Sequence, residues 1–262
     1  MFNQLLKLTS SLILTILFLA GCASFDEIDE DMVISKVSVQ DIELRKNSIV
    51  DPNGRYQKAK TSSMKQMVTT KATFTQPKEE SMVEVKFQHP DKFKLSTYKD
   101  NQISLAIIVN GPNAWMADYN SKKISILTKE QLKKLNLIFQ LSNPSTKISD
   151  VFKNIKVYES SPLVTDENSQ YYKLVCSKED SNPINIYLDK KSCLPRRIKA
   201  VFNINNNSIE YDSTMKRYSL YEGVMIPDES IVEQDGVVQE SKVLYYKLDI
   251  KFPDDEFLPP VF

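Results

Sequence analysis

From Ser62 to the C-terminus, apolar side chains recur at every second position, and this pattern leaves few folds open. Val83, Val85 and Phe87 alternate with Glu84 and Lys86, and Phe93 and Leu95 with Lys92 and Lys94. Ile103, Leu105, Ile107 and Val109 follow, then Trp115, Ala117 and Tyr119 around Met116 and Asp118. Ile184, Ile186 and Leu188 repeat the pattern, as do Ile198, Ala200, Phe202 and Ile204. Period two places alternate side chains on one face of a strand, and clean alternation marks antiparallel sheet with one wet face. Turn residues fall between the runs: Asn110-Gly111-Pro112-Asn113, Asn205-Asn206-Asn207 and Asp235-Gly236.

One helix is predicted within this β chain. Thr128-Lys-Glu-Gln131 forms a capping box, and Leu132, Leu135, Phe139 and Leu141 make an apolar stripe that Pro144 ends. A shorter helix is predicted over Val39–Lys46. The expected fold class is therefore mainly β (α+β): a single domain over 36–262, a long antiparallel sheet with one or two helices on its concave face. About ten strands in one open sheet curl, and the apolar residues point into the curl. Phe93, Leu95, Leu105, Ile107 and Trp115 from the strands, with Leu132, Leu135 and Phe139 from the helix, are the candidates for an apolar cleft. Trp115 reads either as a cleft-rim residue or as an ordinary core aromatic. The helix reads either as a plug that yields to ligand or as permanent core.

The N-terminus carries a different signal. Leu8 to Leu19 is a mostly apolar run of roughly a dozen residues, too short to span a bilayer but suited to a signal-peptide core. It ends in Leu19-Ala20-Gly21-Cys22, which resembles the lipobox of bacterial lipoproteins at all four positions. That resemblance implies a diacylglyceryl group on Cys22, cleavage by signal peptidase II between Gly21 and Cys22, and residues 1–21 as a signal peptide. Ala23 and Ser24 lack the Asp that retains many such proteins at the inner membrane, which favours the outer membrane. Residues 22–35 then form a lipidated terminus and a spacer, whose run Phe25-Asp-Glu-Ile-Asp-Glu-Asp31 is solvated and repelled by anionic headgroups.

Other chemistries lack residues. Lys plus Arg number 34 and Asp plus Glu 34, so no basic surface recruits nucleic acid. Only 5 glycines occur, and none forms a phosphate-cradling loop or a nucleophile elbow. His89 is the single histidine and precedes Pro90, as a strand-end residue would. Neither a Ser-His-Asp site nor a zinc site has its ligands, so no metal, cofactor or catalysis is expected. Cys176 and Cys193 fall at opposite ends of a short hairpin, Tyr171–Cys176 with Ile184–Leu188. A strand of five or six residues separates them by roughly 17–20 Å, beyond the ~7 Å a disulfide spans, so two separate thiols are predicted. Lys190, Lys191, Arg196 and Arg197 cluster at a turn, a solvated one on the plain reading.

Taken in order, several segments resemble the periplasmic lipoprotein-sorting (LolA/LolB-like) superfamily. They are Pro90-Asp-Lys-Phe-Lys-Leu95, Asn110 to Tyr119, Tyr187 to Ile198, Tyr221-Glu-Gly-Val-Met-Ile-Pro227 and Phe252 to Pro260. The resemblance implies an unclosed half-barrel with helices at its mouth and an apolar cavity for acyl chains of lipids or lipoproteins. The expected partners are thus a membrane, through the anchor, and acyl chains. An envelope protein bound as partner by a sensor or interaction module of the same fold is the alternative, and a lipoprotein enzyme is a third.

Overall fold

The alternation resolves into one continuous sheet. A computed structural model describes residues 32–71, 79–142, 146–161, 170–178, 182–204, 207–234 and 237–262. Its strands are β1 (Met32–Ile34), β2 (Thr61–Lys71), β3 (Glu79–Gln88), β4 (Lys92–Lys99), β5 (Gln102–Asn110), β6 (Asn113–Asp118) and β7 (Lys123–Ile126). Then come β8 (Asn154–Ser160), β9 (Tyr171–Ser177), β10 (Ile184–Asp189), β11 (Pro195–Ile204), β12 (Asn207–Tyr221), β13 (Val224–Gln234) and β14 (Val237–Leu248). The helices are α1 (Val39–Val50), α2 (Arg55–Lys58), α3 (Lys129–Ser142) and α4 (Ile148–Val151).

All 14 strands form one sheet in the order β1-β8-β9-β10-β11-β12-β13-β14-β2-β3-β4-β5-β6-β7. Two meanders, β2–β7 and β8–β14, are joined where β14 pairs antiparallel with β2, Tyr246 opposite Met64. The outermost strands, β1 and β7, are not neighbours, so the sheet stays unclosed. β1 pairs with β8 and lies inside the 22–35 stretch read from sequence as spacer. The lipobox, the acidic run to Asp31, Pro144, Asn205-Asn206 and Asp235-Gly236 lie outside the described residues.

Local chemistry sets the turns and helix ends. Asn110 pairs with Asn113 across a two-residue turn, and Gly111 there has φ +60°, backbone that favours glycine. Ser38 caps α1 by accepting from the Asp41 N–H at 3.1 Å. α1 runs four residues past the predicted Lys46, to Val50. The α3 capping box forms reciprocally: Gln131 N–H donates to Thr128 Oγ1 (3.2 Å), and Thr128 N–H to Gln131 Oε1 (2.8 Å).

Helices α1, α3 and α4 pack on one face of the sheet, the inner face. One apolar cluster there joins β9–β13 to α1 and α4 through Leu174, Ile186, Ile198, Ile42, Ile148 and Phe152. A second occupies β2–β6 with α3. A third joins Val50 and Tyr56 to Val224, Ile226 and Val243. Cys176 and Cys193 are buried, separate thiols, as the hairpin geometry predicts.

The outer face of β3–β6 is not wet. The C-terminal segment crosses it: Glu256 pairs with Lys94 (2.8 Å) and Lys86 (3.1 Å). Phe257 is buried edge-to-face on Phe252, and Phe262 meets Tyr119 edge-to-face. Outer-face Ala106, Ile108 and Ala117 are accordingly buried.

Candidate functional site: the apolar inner face

Register decides which predicted cleft residues share a face, because directly paired residues point the same way. Met64, Val85, Leu95, Ile107 and Met116 form one row across β2–β6. Phe87, Phe93, Val109 and Ala114 form the next. Leu95 and Ile107 are wholly buried. On this surface α3 lays Leu132 and Leu135, so Phe93, Leu95, Ile107, Leu132 and Leu135 come together in one cluster. Leu105 pairs with Thr97 on the same face but is only half-buried and stands outside the cluster. The side chain of Phe139 lies outside the described residues.

Trp115 is a correction. It pairs with Ile108 and Ile126, and Ile108 pairs with Lys94. These residues share the outer face, the one Glu256 crosses. The alternation is real, but Met116 rather than Trp115 carries the inward parity of β6, and the C-terminal segment crosses the same outer face at Lys94 and Tyr119.

α3 also reaches the other half of the sheet. Its Leu137 and Leu141 pack on the cluster built by β8–β13, while Leu132 and Leu135 pack on the cluster of β2–β6. One 14-residue helix therefore bridges two apolar surfaces. Sequence reasoning placed the first cluster and missed the second. Its signal was present in Ile198 and Ala200, whose parity matches Ile186.

The connection that follows α3 is tied down by α1. Glu43 accepts from Ser149 N–H (2.7 Å) and Ser149 Oγ (2.8 Å), and Lys46 Nζ donates to the Thr146 carbonyl (2.6 Å). Both side chains are buried, and burial draws Lys46 down to about 8 while Glu43 opposes the shift. Thus two buried anchors, the Glu43 carboxylate on Ser149 and the Lys46 ammonium on the Thr146 carbonyl, hold the segment after α3 against α1.

Groups with catalytic potential are placed as structure. His89 stacks on Phe87 and meets Tyr56 edge-on, and burial lowers its pKa. Burial pushes the Cys176 thiol up to about 12, away from the thiolate. Arg197 makes a two-pronged bond to Asp212 rather than offering a free cation. Among the described residues no three or more His, Cys, Asp or Glu gather to hold a metal. No helix among them is long and apolar enough to cross a membrane.

An unclosed antiparallel sheet with helices on its inner face is the architecture of the lipoprotein-sorting fold. Solved structures bear this out as a likeness of fold. A LolA superfamily protein from Nitrosomonas europaea superposes with a TM-score of 0.59 at 16% identity, over 85% of this chain and 98% of that one. A DUF1329 family protein from Desulfovibrio piger gives 0.56 at 9% identity, over 84% and 95%. A putative outer membrane lipoprotein-sorting protein domain from Vibrio parahaemolyticus gives 0.53 at 11% identity, over 84% and 95%. No protein-family model matches the chain. No curated protein matches it by sequence.

Proposed function

We propose that the protein is a non-catalytic, lipid-anchored component of the bacterial cell envelope that shelters acyl chains of lipids or lipoproteins on its apolar inner face. The observation that carries this reading is the bridging of two apolar clusters by α3. A helix seated in that way is replaceable by another apolar rod. Exposing Leu132, Leu135, Leu137 and Leu141 costs at most about 6–12 kcal/mol, at about 1.5–3 kcal/mol per side chain. An acyl chain of roughly fifteen methylenes gains about 12 kcal/mol at ~0.8 kcal/mol each. The two terms are of the same size, so exchange of helix for chain is near balance, as reversible carriage requires.

The anchor belongs to the same reading. Residues 1–21 are the signal peptide, Cys22 takes the lipid after cleavage from Gly21, and the protein faces the periplasm from the outer membrane. From Cys22 to β1 at Met32 is about ten residues, which extend to at most ~35 Å, so the cleft works close to the bilayer. Two or three acyl chains on the anchor hold it there firmly.

The test is binding of a fluorescent fatty-acid probe to the mature chain, beside mass spectrometry of lipid extracted from protein purified from its own membranes. Saturable binding lost in Leu95→Asp, with copurifying lipid, is the expected result. A chain that carries no lipid and takes up no probe sinks the reading, and stoichiometric capture of an envelope protein instead would transfer the inner face to that partner.

A further inference from the structure

Between the two apolar clusters the inner face turns polar. On β13 and β14, Ser230 faces Ser241, Val232 faces Gln239 and Gln234 faces Val237. Ser230, Gln234, Gln239 and Ser241 are each more than nine-tenths buried, at 5%, 6%, 4% and 7% exposure. Val232 beside them belongs to one cluster, and Val68, which pairs with Ser241, to the other. This is the interval that α3 bridges.

The strip is incompletely satisfied. Gln239 Nε2 donates to Thr70 Oγ1 at 2.8 Å. Gln239 Oε1, Gln234 Oε1 and Ser241 Oγ have no hydrogen-bond partner among the described residues. Leaving one buried polar atom unpaired costs about 1–3 kcal/mol, and here three occur on two adjacent strands. Valine or threonine at these positions would remove that cost if the strip served only to fill the core.

The chemistry of the open atoms selects a ligand. Two are amide carbonyl oxygens, which only accept, and the third is a hydroxyl, which donates or accepts. Gln239 and Ser241 are two residues apart on one face of β14, about 7 Å along the strand. A chain bound here must therefore present a donor among its apolar atoms, with an acceptor close by. An ester offers acceptors alone. A secondary amide offers one N–H and one C=O, the complement of a glutamine carbonyl and a serine hydroxyl. Resting on the acyl-chain reading above, we propose that Gln234, Gln239 and Ser241 form a polar subsite for the amide of an N-acylated ligand, so that the cleft prefers amide-linked over ester-linked acyl chains.

The test uses two probes that differ by one group: N-palmitoylglycine methyl ester, and the O-palmitoyl glycolate methyl ester in which oxygen replaces the N–H. Each competes with a bound fluorescent fatty acid on the wild-type mature protein. The amide is expected to bind about tenfold tighter, the size of one buried hydrogen bond made rather than missed. In Gln239→Leu and in Gln234→Leu that preference falls toward unity while affinity for the ester is kept, which also reports that the variants fold. Equal affinity of the wild type for the two probes overturns the subsite and leaves acyl-chain binding standing. Failure of both probes to displace the fatty acid, or of the fatty acid to bind, overturns the acyl-chain reading and the subsite with it.

Discussion

Lys94 Nζ lies 2.8 Å from Glu256 Oε1, an ion pair between the middle of the sheet and the C-terminal segment. Lys86 closes on the other carboxylate oxygen at 3.1 Å, and the three side chains keep only 15%, 11% and 22% of their surface, for Lys94, Glu256 and Lys86. Glu256→Ala takes this carboxylate from Lys94 and leaves Lys86 with Glu84, at 3.6 Å, as its ion-pair partner among the described residues. The expected cost is about 1–3 kcal/mol, less than a fully buried pair because some water reaches all three. Urea unfolding measures it. Leu258→Ala, at a neighbouring position that is 48% exposed, should change the midpoint little.

The same segment makes Trp115 a reporter of the wrong face for a cleft ligand. As the single tryptophan, it gives an unambiguous fluorescence signal. Its partners Ile108 and Ile126 put it on the outer face, with the sheet between it and the inner clusters. A brominated fatty acid, which quenches on contact, should bind without quenching Trp115 strongly. Removing residues 251–262 should shift its emission to the red. Strong contact quenching in the intact protein would contradict the register.

These two results show where sequence was readable. The alternation of β3–β6 reports each strand's two faces correctly, and the Thr128–Gln131 box marks α3 to the residue. Which face is inner depends on what covers the other one, and that cover arrives from Glu256 and Phe257, more than a hundred residues away in sequence. The polar strip was hidden for another reason. On β14 the inward residues run Gln239, Ser241, Val243, and then Tyr246 and Leu248, because the register slips between Val243 and Tyr245. A bulge inserts one residue and inverts parity, so a fixed period of two misassigns one end of the strand. Glutamine and serine also score as outer-face residues in any hydropathy pattern, whatever their burial.

Lys46 gives a pH dependence with a definite sign. Burial lowers it from 10.5 to about 8. Below about pH 8 both folded and unfolded chains carry the proton, and the folded state bears the full cost of the buried ammonium. Between about 8 and ~10.4 the unfolded chain binds more protons than the folded one, so stability rises with pH across that window. The gain is of order 3 kcal/mol at ~1.4 kcal/mol per unit. Urea midpoints of the wild type should rise relative to Lys46→Met through this window, while the variant stays flat at this site. Parallel curves for the two proteins would show that the ammonium is not buried against α4.

The proposed anchor falls on Cys22, the cysteine that stands at the end of the apolar run. Cys22→Ser should abolish incorporation of labelled palmitate and leave residues 1–21 uncleaved by signal peptidase II. The wild type should stay with membranes through high-salt and carbonate washes, as multiply acylated proteins do. Labelling retained in the variant would move the acyl group elsewhere in the chain.

The last prediction separates a plug from a core. Leu135 is buried at 3% exposure between α3 and the row containing Leu95 and Ile107. Leu135→Ala removes about 2–4 kcal/mol of packing. If α3 were permanent core, that loss would appear only as a lower unfolding midpoint, and probe affinity would be unchanged or worse. If the helix must leave for an acyl chain to enter, the same loss lowers the energy of the open state by a similar amount relative to the closed one. Probe affinity then rises, by up to about tenfold for each ~1.4 kcal/mol that reaches the opening step. Stability and affinity should therefore move in opposite directions in Leu135→Ala. They should fall together in Leu95→Asp, where the wall that both the helix and the acyl chain need is the part destroyed.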